Sequence, residues 1–408
     1  MRRVVISGVG AVSALGNDVP SLVEGIEEGR SAVRYMDGWE QYIGLRSLVG
    51  APAALKNERA IPRKSRRSMG RMSIFAVQAA EQALADAGVG REELGAGRAG
   101  CVIGSTMGGA ESLNETFEIM LPEKDVSRLT AMKFFQCVSH TAAMNVAQHL
   151  GITGCVMATS AACASSLQAI GTGYDLIRMG RQDVMLCGGS EELHPTVTAS
   201  FDILFATSTG YNHDPQRTPR PFDANRDGLV CGEGCGILVL EEYERALDRN
   251  AEVHAEVIGY HTAGSGDHVS QSNRESIVRC MREALASARV SPDDIDYINA
   301  HGTATLHGDK VEAEAISEVF GDTVPVSSLK GYIGHTLGAS AALELIASLA
   351  MMEKATIYGT LNLEDVDEDC QGIQHVMKSS ARDIRIMMKN CFAFGGINAA
   401  LVCRRLES

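Results

Sequence analysis

The sequence has no framework for disulfides or for zinc. Its 11 cysteines are an odd number, scattered without paired spacing, and no CxxC occurs. Cys231 and Cys235, in VCGEGCG, fall where the chain reads as the entry to a buried strand. Such usage fits a reducing compartment. A surplus of positive charge is also missing: 37 Lys and Arg against 51 Asp and Glu leave a net charge of −14, which excludes the broad basic surface that nucleic-acid binding requires. No uninterrupted apolar stretch reaches the ~20 residues of a membrane span. The opening MRRVVISGVG reads as a strand running into glycines, with no secretory apolar region or cleavage signal. A cytoplasmic protein with no nucleic-acid partner and no membrane partner is expected.

Two tempting motifs each lack a required residue. Gly8-Val9-Gly10 follows a strand, but the third glycine of a dinucleotide fingerprint would fall at position 13, which is Ser13, and the next glycine is Gly16. The spacing fails the geometric reason for that motif and excludes a nicotinamide site. The acidic run LEDVDEDC resembles a calcium loop, yet position six of the loop is Cys370 and position twelve is Val376. It reads as a solvated loop.

What the chain does contain is alternation. With 408 residues, two domains or two halves of one large domain are expected, and 42 glycines flanking short apolar runs indicate an α/β architecture. Strands are read at 4–7, 100–104, 184–189 and 236–241, with a helix at 73–88. After the polar helix EEYERALDRNA come a strand at 253–260, a helix at 274–287, a strand at 295–300 and helices at 313–320 and 341–353. Strands at 384–388, 392–394 and 399–404 close the chain. Both halves alternate strand and helix, which implies a structural duplication, 1–250 and 251–408, in a layered α/β sandwich. Loops from the two halves can then meet at a pocket on the junction.

Three stretches carry chemistry. In MATSAACASSLQAIGTG (157–173), Cys163 is set among the smallest side chains, as in a tight bend entering a helix; a helix start favours thiolate over thiol. His301, in NAHGTATLHGDKVEAE, follows an apolar strand and precedes a Gly-Thr turn. His335, in SSLKGYIGHTLGASAA, is flanked by a glycine and an apolar helix, with Lys330 five residues before it. Two histidines at glycine-rich strand exits point to a site. NCFAFGGINAA adds a glycine turn whose N–H groups can face a pocket. The remaining histidines show no ligand spacing, and no metal is expected.

Together with PFDANRDGLVCGEGCGILVLEE (221–242), these motifs resemble the elongating β-ketoacyl-acyl-carrier-protein synthases, types I and II, in order along essentially the whole chain. The resemblance implies a thiolase fold, with duplicated βαβαβαββ halves in an α/β/α/β/α sandwich, and usually a homodimer. It implies no cofactor and an acyl-carrier-protein partner. By the same resemblance Cys163 is the nucleophile that takes the acyl chain, and His301 and His335 drive decarboxylation of malonyl-carrier protein. Lys330 supports them, and Asp309 and Glu312 help hold the lysine and its loop. Phe394 gates the site and joins Cys163 in an oxyanion hole, with Phe392 beside it among the substrate-binding residues. Thr303 and Thr305 bind the pantetheine arm, and Met107, in STMGG, floors the acyl pocket. The Cys-His-His set differs from the Cys-His-Cys of thiolases and the Cys-His-Asn of initiating synthases.

Departures from the family pattern are Leu306 in place of proline, Ala393 in place of glycine between the two phenylalanines, and a poorly matched 261–273. In that stretch the usual Thr-Ser contact to pantetheine aligns with Ala263-Gly264. PRKSRRSMGR places Arg63, Lys64, Arg66 and Arg67 within five residues of an acidic protein, a docking patch for an acidic carrier. Alternatives are a ketosynthase of polyketide or aryl-polyene assembly, and a noncatalytic chain-length-factor partner, which would have lost the nucleophile.

Overall fold

The computed structural model describes residues 1–406. Its main sheet has eleven strands: β1 (Val4–Val12), β2 (Ala99–Gly104), β3 (Val156–Met157), β4 (Val184–Glu191), β5 (Gly234–Glu242), β6 (Ala255–Gly264), β7 (Tyr297–Asn299), β8 (Pro325–Ser327), β9 (Gln374–His375), β10 (Ile386–Ala393) and β11 (Ile397–Arg404). The order is β9-β8-β7-β10-β11-β6-β1-β5-β4-β2-β3. Outward from the centre, β1-β5-β4-β2-β3 and β6-β11-β10-β7-β8 have the same sequence of pairings: two antiparallel, then two parallel. The two sets join only through β1 and β6, where Val4, Val5 and Ile6 face Val257, Glu256 and Ala255.

Eight helices complete the layers that matter for the site: α1 (Arg71–Ala87), α2 (Ala110–Met120), α3 (Ala131–Cys137), α4 (Thr141–Leu150), α5 (Ser165–Arg178), α6 (Arg274–Ala288), α7 (Leu306–Phe320) and α8 (Ser340–Glu353). α1 and α4 cover the outer face of the first strand set, and α6 and α7 that of the second, while α5 and α8 lie between the two sets. The result is the α/β/α/β/α arrangement, with three apolar cores. Strand side chains alternate between cores, as the pleat requires: Leu238 faces the middle core and Val239 the first outer one, Met387 the middle and Met388 the second outer one. α8 is packed from all sides, and only Ala350 and Glu353 escape full burial, so its apolar character has no polar stripe.

The glycines after β1's start have a packing cause. A Cβ on Gly8 or Gly10 would run into the backbone of α1 at Ala83 and Ala79, so bare backbone lets the helix lie directly on the strand. α7 begins at Leu306, two turns before the apolar pattern suggests, with Thr305 as its cap residue. Leu306 thus stands at the first helical position, where proline is tolerated only because its missing N–H has no intrahelical partner anyway. The segments 384–388 and 392–394 are one strand, β10, and Ala393 is part of its ladder opposite Ile397. The positive φ angles of that hairpin belong to Gly395 (87°) and Gly396 (69°), not to Ala393. No described helix is long and apolar enough to cross a membrane.

Candidate active site

Cys163 ends a bend between β3 and α5. Ala162 adopts a left-handed φ of 48°, and the Ser165 hydroxyl closes the turn by accepting from the Ala161 N–H at 2.9 Å. Gly104 is needed opposite, because a Cβ there would lie 2.7 Å from Ser165. Small residues around the thiol therefore serve a strained turn under close backbone contact.

His301 leaves the end of β7 in a turn held by two buried carboxylates. Glu312 accepts the N–H of His301 and of Gly302, each at 2.7 Å. Asp309 accepts from Thr303 at 2.9 Å, Ala304 at 3.1 Å and Phe222 at 2.7 Å. Burial pushes Glu312 up to about 7 and Asp309 up to about 6, while these N–H groups favour the charged forms. His335 is fixed through its backbone, donating to Val230 at 2.7 Å and accepting from Gly232 at 2.9 Å.

These loops bring Cys163, His301 and His335 together, all buried. His335 Nε2 lies 3.0 Å from Cys163 Sγ, and the two imidazole rings stand edge to face with centroids 5.3 Å apart. The sulfur and one ring nitrogen of each histidine all fall within 4.8 Å of one another. Lys330 Nζ donates to the His301 carbonyl at 2.5 Å and to Glu344 at 2.7 Å. The lysine's carboxylate is therefore Glu344 on α8, while Asp309 and Glu312 bond the loop's N–H groups. Glu344 is shared with a second buried lysine, Lys389 on β10, at 2.5 Å. Cys391, two residues along β10, places its sulfur 3.1 Å from the Cys163 carbonyl and 3.6 Å from His301 Nδ1. Glu344, Lys389 and Cys391 escape sequence reasoning because each sits in a segment whose pattern reads simply as core.

The electrostatics correct one expectation. α5 begins at Ser165 with Ala164 as its cap, so Cys163 lies just outside the helix. Burial, reinforced by Cys391, pushes the Cys163 thiol above its usual range, against the opposing pull of Lys330. The helix start alone does not yield a thiolate; His335 Nε2 is the group positioned to exchange the proton. Burial and then Lys330 hold both histidines well below the ordinary imidazole value, with Lys389 adding to the effect on each. Both rings are neutral at pH 7.

A cavity of about 290 Å³ opens onto the triad. Its wall includes Phe392 and Phe394, and Thr303 and Thr305, whose hydroxyls lie 3.0 Å apart. Phe394 packs against Phe201 with ring centroids 6.1 Å apart. Two further expectations change here. Ala263 and Gly264 are strand residues paired with Asn398 and Ile397, and the hydroxyls that segment sends to the cavity are those of Ser270 and Ser272. Met107 is 45% exposed and is not among the cavity's lining residues, so within one chain it does not floor the pocket. Arg63, Lys64 and Arg67 are exposed on a short helical turn, whereas Arg66 folds back to the Ile61 carbonyl at 3.0 Å and faces Glu58 at 3.8 Å.

Comparison with known proteins gives the family. The sequence profile of the β-ketoacyl synthase N-terminal domain matches residues 1–246, and that of the C-terminal domain matches 254–364. The chain is 36% identical over 411 residues to 3-oxoacyl-[acyl-carrier-protein] synthase 1 of Escherichia coli (strain K12), covering 100% of both. A crystal structure of a β-ketoacyl synthase from Burkholderia phymatum STM815 superimposes with a TM-score of 0.97 at 44% identity, again over 100% of both chains. A type II polyketide ketosynthase bound to a hexaketide, in complex with its acyl-carrier protein, superimposes with a TM-score of 0.92 at 31% identity over 100% of both chains. The chain belongs to the β-ketoacyl synthase family.

Proposed function

We propose that the protein is an elongating β-ketoacyl-[acyl-carrier-protein] synthase of fatty acid synthesis, with Cys163, His301, His335 and Lys330 as its working groups. The observation that carries this reading is the Cys163 sulfur 3.0 Å from His335 Nε2, beside a second neutral imidazole at the inner end of a hydroxyl-rimmed cavity. In the first half-reaction Cys163 attacks the acyl thioester. Its proton passes to the departing carrier thiol, with His335 as the intermediary.

In the second half-reaction malonyl-carrier protein loses CO₂. The C–C bond electrons move into an enolate whose oxygen is held by imidazole N–H groups of His301 and His335. The enolate carbon attacks acyl-Cys163, the C–S bond breaks and its electrons stay on sulfur, and the resulting thiolate takes a proton that enters from solvent by way of His335 to restore the thiol. Lys330 fixes the His301 carbonyl and biases both rings to the neutral, donor-competent form. Thr303, Thr305, Ser270 and Ser272 supply hydroxyls along the path of a pantetheine arm, and Phe394 with Phe392 forms the apolar wall beside the reacting sulfur.

The partner is an acyl-carrier protein, loaded with acyl or malonyl groups. The exposed charges of Arg63, Lys64 and Arg67 support this, as does the carrier complex of the polyketide relative. A homodimer is supported by the unpaired edge of β3, where Val156 and Met157 are exposed, and by Leu113, Phe117 and Phe134 facing outward from α2 and α3. Light scattering at twice the chain mass checks it. The matched strand orders support 1–250 and 251–408 as two related halves sharing α5 and α8. A noncatalytic partner role is disfavoured by the intact triad. The test is product formation: acyl- and malonyl-carrier protein incubated with the enzyme yield a β-ketoacyl-carrier protein two carbons longer. Turnover restricted to polyketide intermediates would move the site to that pathway.

A further inference from the structure

We propose that Lys389 is a positioning residue for the condensation step, acting with Lys330 across a shared carboxylate to fix His301 and to place an unbalanced positive charge beneath the site of enolate formation. The inference rests on the function proposed above.

Three elements converge on this cluster. α8 supplies Glu344, the turn after β8 supplies Lys330, and β10 supplies Lys389; all three side chains are 0–1% exposed. The two carboxylate oxygens divide between the lysines, Oε1 to Lys330 at 2.7 Å and Oε2 to Lys389 at 2.5 Å. Each ammonium then reaches back to one of two consecutive carbonyls, Lys330 to His301 at 2.5 Å and Lys389 to Ala300 at 3.4 Å. The end of β7 is thereby gripped on both sides of the peptide that presents the His301 ring. One carboxylate against two ammonium groups leaves a surplus positive charge. Burying such a charge is costly, and a structural pair would need only one lysine.

The surplus has a use where negative charge appears in the reaction. His301 also faces His335, Cys163 and Cys391, all uncharged in the resting site. Glu312 and Asp309 are engaged by backbone N–H groups on the far side of the turn. The lysines therefore dominate the field at the ring. They oppose protonation of His301 and favour an enolate beside it, whereas attack by Cys163 on an acyl thioester draws on His335 and the bend before α5.

The experiment compares pH profiles of the two half-reactions in Lys389→Met, Lys389→Arg and Glu344→Gln, each first checked by thermal melting. Removing the Lys389 charge makes His301 easier to protonate, so the acid limb of condensation moves to higher pH in Lys389→Met. The rate at pH 7 falls about tenfold, and formation of acyl-Cys163 falls less. Glu344→Gln, which removes the counter-charge, moves the limb the opposite way, and Lys389→Arg keeps it near the wild-type position. The proposal is overturned if the Lys389→Met limb coincides with wild type or moves to lower pH, or if both half-reactions fall together. Where Lys389→Met does not fold, the direction of the Glu344→Gln shift decides alone. A wild-type enzyme that does not condense malonyl thioesters overturns the proposed function instead, before any variant is compared.

Discussion

A neutral imidazole is a better starting point than an imidazolium for this chemistry, and the residues around His301 and His335 keep both rings neutral. Burial does most of this, with Lys330 next. Neutral rings are available to the reaction as N–H donors at neutral pH. Removing one such donor costs about 3 kcal/mol of transition-state stabilisation, roughly a hundredfold in rate. For His301→Ala the expected outcome is that loss in condensation, read as malonyl-dependent product formation, while acyl-Cys163 still accumulates in intact-mass spectra. Equal loss in both steps contradicts the division of roles between the two histidines. The small neighbours of Cys163 suggested only a tight bend at a helix start, and its role as nucleophile rested on the family resemblance; only the packing reveals that the sulfur is dry and lies one residue outside the cap.

At the level of elements, legibility followed burial pattern. α1, α6 and α8 were readable because each carries a consistent apolar face or, for α8, apolar residues all round. α2 and α3 were not, since Leu113, Phe117 and Phe134 face outward and their periodicity does not describe a core within one chain; the buried face of α4 includes three alanines, Thr141 and Asn145, too weak an apolar stripe to read. The first two turns of α7 were hidden by His307 and Gly308 in ATLHGD. Glu344 and Lys389 were lost inside segments that otherwise read as apolar, which is why the second ammonium of the site has no sequence signature. The short basic helix was readable as charge but not as four equivalent contacts, because Arg66 is spent on Ile61 and Glu58. Replacing Arg63, Lys64 and Arg67 together by alanine is expected to raise KM for acyl-carrier protein about tenfold at low salt. The effect fades as ionic strength rises, and kcat is largely preserved. Steady-state kinetics across a salt series check this, and a fall in kcat at unchanged KM contradicts docking.

On the scale of the whole molecule, the site lies where loops from the two strand sets meet. The parallel strands of the two sets run in opposite senses, because β1 and β6 pair antiparallel, and the bend before α5 from the first half meets the turns after β7 and β8 from the second, where His335 Nε2 reaches Cys163 Sγ. The middle helices α5 and α8, packed between the halves, bring Cys163 and the Glu344 carboxylate to the same buried layer. Alternation of strand and helix suggested two related halves but not the order of the strands, and the junction through three facing residue pairs of β1 and β6 leaves no periodic trace. With a net charge of −14, the docking of an acidic carrier proposed above draws on the local basic patch and not on the overall field.

The most direct measurement is intact-mass spectrometry of the protein after mixing with acyl-carrier protein bearing a range of acyl lengths, beside Cys163→Ala, followed by addition of malonyl-carrier protein. The account predicts an acyl adduct on the wild type alone, discharged by malonyl-carrier protein as an extended β-ketoacyl product. No adduct at any chain length, or an adduct of equal mass on Cys163→Ala, would contradict it.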